Sequence, residues 1–350
     1  MPGEFSAALA AFTPPDDHAA AAAAEHLDRL TKPPGSLGRI EALAVQLAAI
    51  AGTSPPPVPA PAAVAVFAAD HGVVAEGVTP WPQEVTAQMV ANFCAGGAAI
   101  NVLARQTGAS VVVVDVGVAG DVPPAPGLVR ARIAPGTANL ATGPAMTVAQ
   151  AAAALDVGAA TAATLVAGGA RCLVTGDMGI GNTTPSAAVI AAFTGRAARD
   201  VTGRGTGIDD ARLALKTGVV ERAVARARGR SPMEVLAEVG GFEIVAIAGF
   251  IVGGAAARVP VIVDGVIAAA GLLGAAALAP GVLPFVIAGH RSAEPGASVA
   301  LAHLGLEPLL DLGMRLGEGT GGCLAVPVVQ AAARVLGEMA TFDSAGVTEK

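Results

Sequence analysis

One recurrence constrains this chain more than anything else in it. Five short, apolar, β-rich runs are spaced by stretches of helical length: "AVAVFAA" (63–69), "SVVVVDVGV" (110–118), "RCLVTG" (171–176), "VPVIVDG" (259–265) and "LPFVIAG" (283–289). Helices are expected between them at 83–107, 147–168, 184–193, 209–228, 232–238, 242–257 and 265–278. Uninterrupted apolar strands separated by helices specify an α/β fold: a mostly parallel, Rossmann-like sheet covered by helices on both faces.

Polar residues and glycines gather where the runs end. They are Asp70-His71-Gly72, Asp115-Val116-Gly117, Gly176-Asp177-Met178-Gly179, Asp264-Gly265 and Gly289-His290-Arg291-Ser292. Any one Asp-Gly is accounted for by a turn. Five at the carboxyl edge of one parallel sheet point to a ligand site, because open α/β sheets bind there.

The flanks read differently. Residues 17–50 are helical in pattern, broken at "TKPPGSLGR" (31–39), and "GTSPPPVPAPAA" (52–63) is a proline-rich connector. After residue 296, "GASVALAHLGL" and "PLLDLGMRLG" read as helices, "GEGTGG" as a loop and 323–342 as a strong amphipathic helix. The expected organisation is a discontinuous small helical domain (1–55 and 297–350) beside a large α/β domain (56–296).

Composition narrows the function. The net charge is −7, with 18 Arg but only three Lys (Lys32, Lys216 and Lys350), which argues against a nucleic-acid surface. Aromatics make up 3% of a chain that is 53% hydrophobic, so elements must pack closely through Ala, Gly and Val. Cys94, Cys172 and Cys323 have neither metal-ligand nor disulfide spacing, and the N-terminus has Glu4 and no basic region ahead of an apolar run. A cytoplasmic protein is expected. Val266–Ala288 has no charge over 23 residues, long enough to span a bilayer. Pro280, Gly281 and Pro284 favour a buried helix followed by a buried strand.

Three stretches could carry chemistry. "VTGDMGIGNTTPSAA" (174–188) runs from a strand through a Gly-rich turn into a helix, with Thr183 or Thr184 as N-cap and Pro185 first in the helix. Such an N-terminus suits a phosphate, or the glycines serve only close packing. It is not the G-x-G-x-x-G order of a dinucleotide-binding oxidoreductase. "GRGTGIDDARLALKTGV" (203–219) is a second Gly-rich loop leading into a helix; taken alone Lys216 reads as a surface lysine, and with two Gly-rich loops and an anionic ligand it becomes the natural point charge for a phosphate. In "MRLGEGTGG" (314–322), Glu318 stands between two glycines, accessible to a substrate. Walled by Met314 and Leu316, its pKa would rise towards that of a general base, whereas a solvated loop glutamate would have no such role. His71 and His290 have no ligand partners at metal spacing, Cys172 reads as a buried small hydrophobe, and no Gly-x-Ser-x-Gly elbow is present.

Taken together, "KPPGSLGRIEALAVQLA" (32–48), "ADHGVVAEGV" (69–78), "GGAAINVLARQTGA" (96–109), "TGDMGIGNTTPSAA" (175–188), "VGGFEIVAIAGFI" (239–251), "PVIVDG" (260–265), "GHRSAEPGA" (289–297) and "LAHLGLEPLLDLGMRLGEGTG" (301–321) resemble one family. It is the nicotinate-nucleotide–dimethylbenzimidazole phosphoribosyltransferases of cobalamin lower-ligand synthesis, and the likeness covers about residues 20 to 342. The resemblance implies displacement of nicotinate from nicotinate mononucleotide by 5,6-dimethylbenzimidazole, with inversion at ribose C1′ and Glu318 as base. It implies no metal or other cofactor, and a homodimer. It places phosphate and ribose at Gly179, Gly205, Lys216 and Ser292, with His290 and Arg291 nearby. It places the aromatic base at Trp81, Met89, Met178 and Leu316, with Asp177 as a supporting carboxylate where many members have glutamate. The alternatives are transfer to a purine or phenolic acceptor on the same scaffold, a cofactor-binding oxidoreductase, and a membrane protein.

Overall fold

The structure, a computed structural model, describes residues 3–348. Six strands form one all-parallel sheet: β1 (Ala62–Ala69), β2 (Ser110–Gly117), β3 (Leu128–Arg130), β4 (Cys172–Met178), β5 (Val261–Asp264) and β6 (Val286–His290). Their order is β3-β2-β1-β4-β5-β6, the doubly wound Rossmann order, so the switch point lies between β1 and β4. The short β3 was not among the five runs.

β1 shows why the apolar runs have no polar face. Ala63, Ala65, Phe67 and Ala69 enter one hydrophobic cluster, and Ala62, Val64, Val66 and Ala68 enter the other. Alternate residues point to opposite faces, and both faces are covered. The first cluster is built on the helices Val148–Ala167 and Phe242–Ala256, which cross closely. A Cβ on Gly158 would stand 1.8 Å from the Ala246 carbonyl oxygen, and one on Gly249 would stand 2.1 Å from that of Leu155. The scarcity of large residues is a requirement of this crossing. Phe67 and Phe250 fill the remaining space edge to face, their centroids 5.4 Å apart.

On the second face, the helices Asp17–Arg29 and Arg39–Ala51 pack together and against Thr320–Glu338, which itself lies on β4, β5 and β6. The helix Glu4–Ala11 goes to the other face, against Val148–Ala167 and Phe242–Ala256. Val266–Ala288 resolves as expected into a buried helix (Gly265–Leu278), a short 3₁₀ turn and β6. Three other stretches, Val85–Thr107, Val148–Ala167 and Thr320–Glu338, are long and apolar enough to cross a membrane.

Three local expectations are corrected. The helix expected at 83–107 is two, Val85–Cys94 and Ala99–Thr107, parted where Gly96 takes φ +80°. "PLLDLGMRLG" (308–317) is no helix. Its backbone is recruited by β6: Leu309 and Leu310 donate to the Ala288 and Gly289 carbonyls, and Leu310 accepts from Arg291. Those bonds extend the segment into a strap along the sheet edge. The helix after β4 begins at Thr183 with Asn182 at its cap, so Pro185 is its third residue.

Candidate active site

Every strand-end motif lies at one edge, and the switch point brings two of them side by side: Phe67 of β1 pairs with Asp177 of β4, and Ala68 with Met178. The strap then delivers Glu318 to this point. Gly317, Glu318 and Gly319 all have positive φ (+79°, +62° and +89°), a conformation that costs a non-glycine residue of order 1 kcal/mol or more. The turn seats the Glu318 backbone on β4, where a Cβ on Gly176 would stand 2.5 Å from the Glu318 carbonyl oxygen.

The Glu318 side chain is 6% exposed and accepts a hydrogen bond from the Ile100 N–H (3.2 Å), at the start of the helix Ala99–Thr107. Burial pushes its carboxyl above the usual range and the Ile100 N–H pulls the other way. The enclosing surface comes from β4 and this helix, whereas Leu316 is 56% exposed and does not wall it in.

Further carboxylates share the edge. Burial raises Asp177 well above its ordinary value, reinforced by Asp264 and Glu243, although Asn182 donates to its Oδ2 at 3.0 Å. Burial also raises Asp264, to about 7, against the pull of the Gly321, Gly322 and Gly319 N–H groups. Asp70 is raised by burial and accepts from the Ala119 N–H at 2.8 Å. His71 is not solitary: its Nε2 lies 2.8 Å from Glu243 Oε1, both side chains fully buried, in a close contact not aligned as a hydrogen bond. Among the described residues no group of three His, Cys, Asp or Glu is arranged to hold a metal ion.

The glycines of "VTGDMGIGN" are approached by protein. Gly176 meets Glu318. Gly179 lies against the His71 ring and the Ala69 carbonyl, whose oxygen would stand 2.3 Å from any Cβ placed there, and Gly181 takes φ +86° beside Val74.

A second group assembles around the loop 203–208. Lys216, 1% exposed, donates to Thr183 Oγ1 (2.8 Å) and the Gly203 carbonyl (2.9 Å), and burial lowers it to about 8. Gly205, at φ +54°, donates to Glu294 Oε1 (2.9 Å), and the Glu294 N–H donates to Ser292 Oγ (3.3 Å). Arg315 on the strap donates to the Gly205 carbonyl. The structure thus links Gly205, Lys216 and Ser292, joined through Thr183 to the turn bearing Gly179.

His290 and Arg291 hold the strap. His290 Nε2 accepts from the Leu312 N–H (3.0 Å), burial lowers its basicity, and Arg291 pairs with Asp311 at 3.4 Å. Around the expected base pocket, Met178 and Met89 are half-buried, packed on the second core cluster, and Trp81 is 49% exposed. Thr86 Oγ1 accepts from the Ile180 N–H (3.1 Å), tying the helix of Met89 to the turn after β4. Sequence reading missed Arg315, Glu294, Asn182, the Ile100 N–H and the His71–Glu243 pair. Asn182 reaches Asp177 across only 5 residues, but the other contacts span 89 to 218 residues of chain, which local pattern cannot reveal.

A groove of about 770 Å³ lined by Phe193, Arg196, Val224, Arg228 and Arg230 lies elsewhere. It is at the C-terminal end of the helix Thr183–Thr194, about 18 Å from the start that faces the strand ends.

Fold and comparison agree on the class: a phosphoribosyltransferase, whose family model matches residues 12–347. A nicotinate-nucleotide–dimethylbenzimidazole phosphoribosyltransferase of Salinispora tropica is 57% identical over 357 residues, covering 97% of this chain and 98% of that one. One of the same name from Chloroflexus aurantiacus is 54% identical, covering 96% of both. The crystal structure of CobT from Thermus thermophilus superposes with a TM-score of 0.92 at 50% identity, covering 95% of this chain and all of the other. The chain belongs to the nicotinate-nucleotide–dimethylbenzimidazole phosphoribosyltransferase family.

Proposed function

We propose that the chain transfers the phosphoribosyl group of nicotinate mononucleotide to 5,6-dimethylbenzimidazole, giving α-ribazole 5′-phosphate and nicotinate, in assembly of the cobalamin lower ligand. One observation carries the mechanism: Glu318, held on a left-handed turn between Gly317 and Gly319, is buried at the switch point with its pKa raised. Nicotinate leaves from a pyridinium by taking the glycosidic electron pair on to its ring nitrogen, so it needs no acid. The incoming imidazole must lose its N–H proton, so one base suffices. Glu318 accepts that proton as the other ring nitrogen attacks C1′ from the opposite face. Holding both bases across C1′ supplies much of the acceleration.

In this reading Gly205, Lys216 and Ser292 hold the phosphate, with Gly179 on the ribose side and His290 and Arg291 bracing the strap behind them. Trp81, Met89, Met178 and Leu316 line the benzimidazole, and Asp177 supports the site from β4. The enzyme works in the cytoplasm as a homodimer, with no membrane span and no cofactor. The helical unit of residues 1–55 and 297–350 belongs to the same reading. The packing of 17–29 and 39–51 on 320–338 supports it, and the helix at 4–11 is its exception. The termini of that unit, residues 1–2 and 349–350, lie outside the described residues.

The test is a product assay on purified protein with nicotinate mononucleotide and 5,6-dimethylbenzimidazole, read by liquid chromatography and mass spectrometry. α-Ribazole phosphate and free nicotinate in equal amounts are expected. Product only with a purine or phenol would move the chain to that acceptor.

A further inference from the structure

β5 ends in Asp264, whose buried carboxylate lies beneath the start of the helix Thr320–Glu338. The backbone N–H groups of Gly319, Gly321 and Gly322 face that carboxylate. There is no room for side chains between them: a Cβ on Gly321 would stand 2.5 Å from Asp264 Oδ1, and one on Gly322 3.1 Å from Asp264 Cβ. Asp264 is fixed from behind, its N–H donating to Thr175 Oγ1 of β4 at 3.2 Å. The Thr175 carbonyl closes the other side, 2.9 Å from where a Cβ on Gly319 would stand. The residues just after Glu318 are therefore gripped by β4 and β5 together. Glu318 needs such a grip, because three consecutive left-handed residues are not a turn that a glutamate takes unaided.

We propose that Asp264 is a positioning residue for Glu318: it anchors the first turn of the helix Thr320–Glu338 through backbone N–H groups and so fixes the left-handed turn that aims the Glu318 carboxylate. The inference rests on the reading of Glu318 as the base. Charge adds a second effect. Asp177 from β4, Glu243 from the helix Phe242–Ala256, His290 from β6, Cys323 from the helix Thr320–Glu338 and Glu318 itself are titratable groups that share this space. Glu318, when ionised, disfavours the ionised form of Asp264.

The experiment compares Asp264→Asn and Asp264→Ala in the full chain. Steady-state rates with nicotinate mononucleotide and 5,6-dimethylbenzimidazole are measured across pH, and amide hydrogen exchange is followed over residues 314–324. Asp264→Ala is expected to lower kcat about 10²-fold, the scale of a misplaced catalytic group, with KM for the mononucleotide changed less than about twofold. Exchange at 317–324 accelerates in the same variant. Asp264→Asn, of the same size and still able to accept an N–H, keeps more of kcat than Asp264→Ala and slows the exchange at 317–324 back towards the wild type. Unchanged exchange in Asp264→Ala overturns the anchor, whatever the role of Glu318. Faster exchange with unchanged kcat leaves the anchor standing and overturns Glu318 as the base. Equal loss of folded protein in both variants, with kcat per folded enzyme unmoved, reduces Asp264 to a structural role and overturns the proposal.

Discussion

Gly176 and Glu318 are joined by an absence: a Cβ on Gly176 would stand 2.5 Å from the Glu318 carbonyl oxygen and 3.0 Å from its carbonyl carbon. The glycine in β4 leaves the space into which the Glu318 turn is laid. Gly176→Ala is therefore expected to push the turn off the sheet. Turnover should fall by about 10²-fold while the mononucleotide still binds. Kinetics paired with ligand titration check this, and wild-type turnover in the alanine variant would contradict the close approach.

The Lys216 ammonium is buried and its pKa is lowered to about 8. A phosphate held by it should bind less well as pH rises through about 8 and the lysine discharges. Lys216→Met is expected to raise KM for the mononucleotide by about 10-fold or more, on the scale of a lost charged hydrogen bond, and to remove that pH dependence. KM measured from pH 6.5 to 9 in both proteins decides it.

Burial raises the folded-state pKa of Asp264 from its ordinary 3.8 to about 7. The folded protein thus binds this proton more tightly than the unfolded chain. The contribution to stability is fully present below pH about 3.8 and is lost as pH rises through about 7. Thermal melts should show the wild type losing stability between pH 5 and pH 8, and Asp264→Asn losing less over the same interval.

Gly158 lies against the Ala246 carbonyl at the closest helix crossing. Gly158→Val is expected to destabilise the fold by about 1–3 kcal/mol through overpacking. The loss should appear as a lower Tm, with KM for both substrates unchanged in the protein that remains folded.

The sheet was legible in the sequence because β1, β2, β4, β5 and β6 are apolar on both faces. Three residues of β3 carry no such pattern, so it was not. "PLLDLGMRLG" has the leucine spacing of a helix, but the free carbonyls and N–H groups beyond β6 override that local preference. Glu318 stood out between its glycines, and Lys216 by its rarity. The reason for the glycines did not: Gly176, Gly179 and Gly321 each clear a path for a segment distant in the chain. Asp264 was legible as one of five strand-end motifs, but the glycine N–H groups around its carboxylate come together only once the chain has folded.

The most direct test of the central claim is Glu318→Gln, which keeps size and shape and removes only the proton acceptor. Formation of α-ribazole phosphate is measured beside nicotinate mononucleotide binding in the same preparation. The account predicts turnover lower by about 10²–10⁴-fold with binding intact, the range for loss of a general base. Turnover near that of the wild type would contradict it.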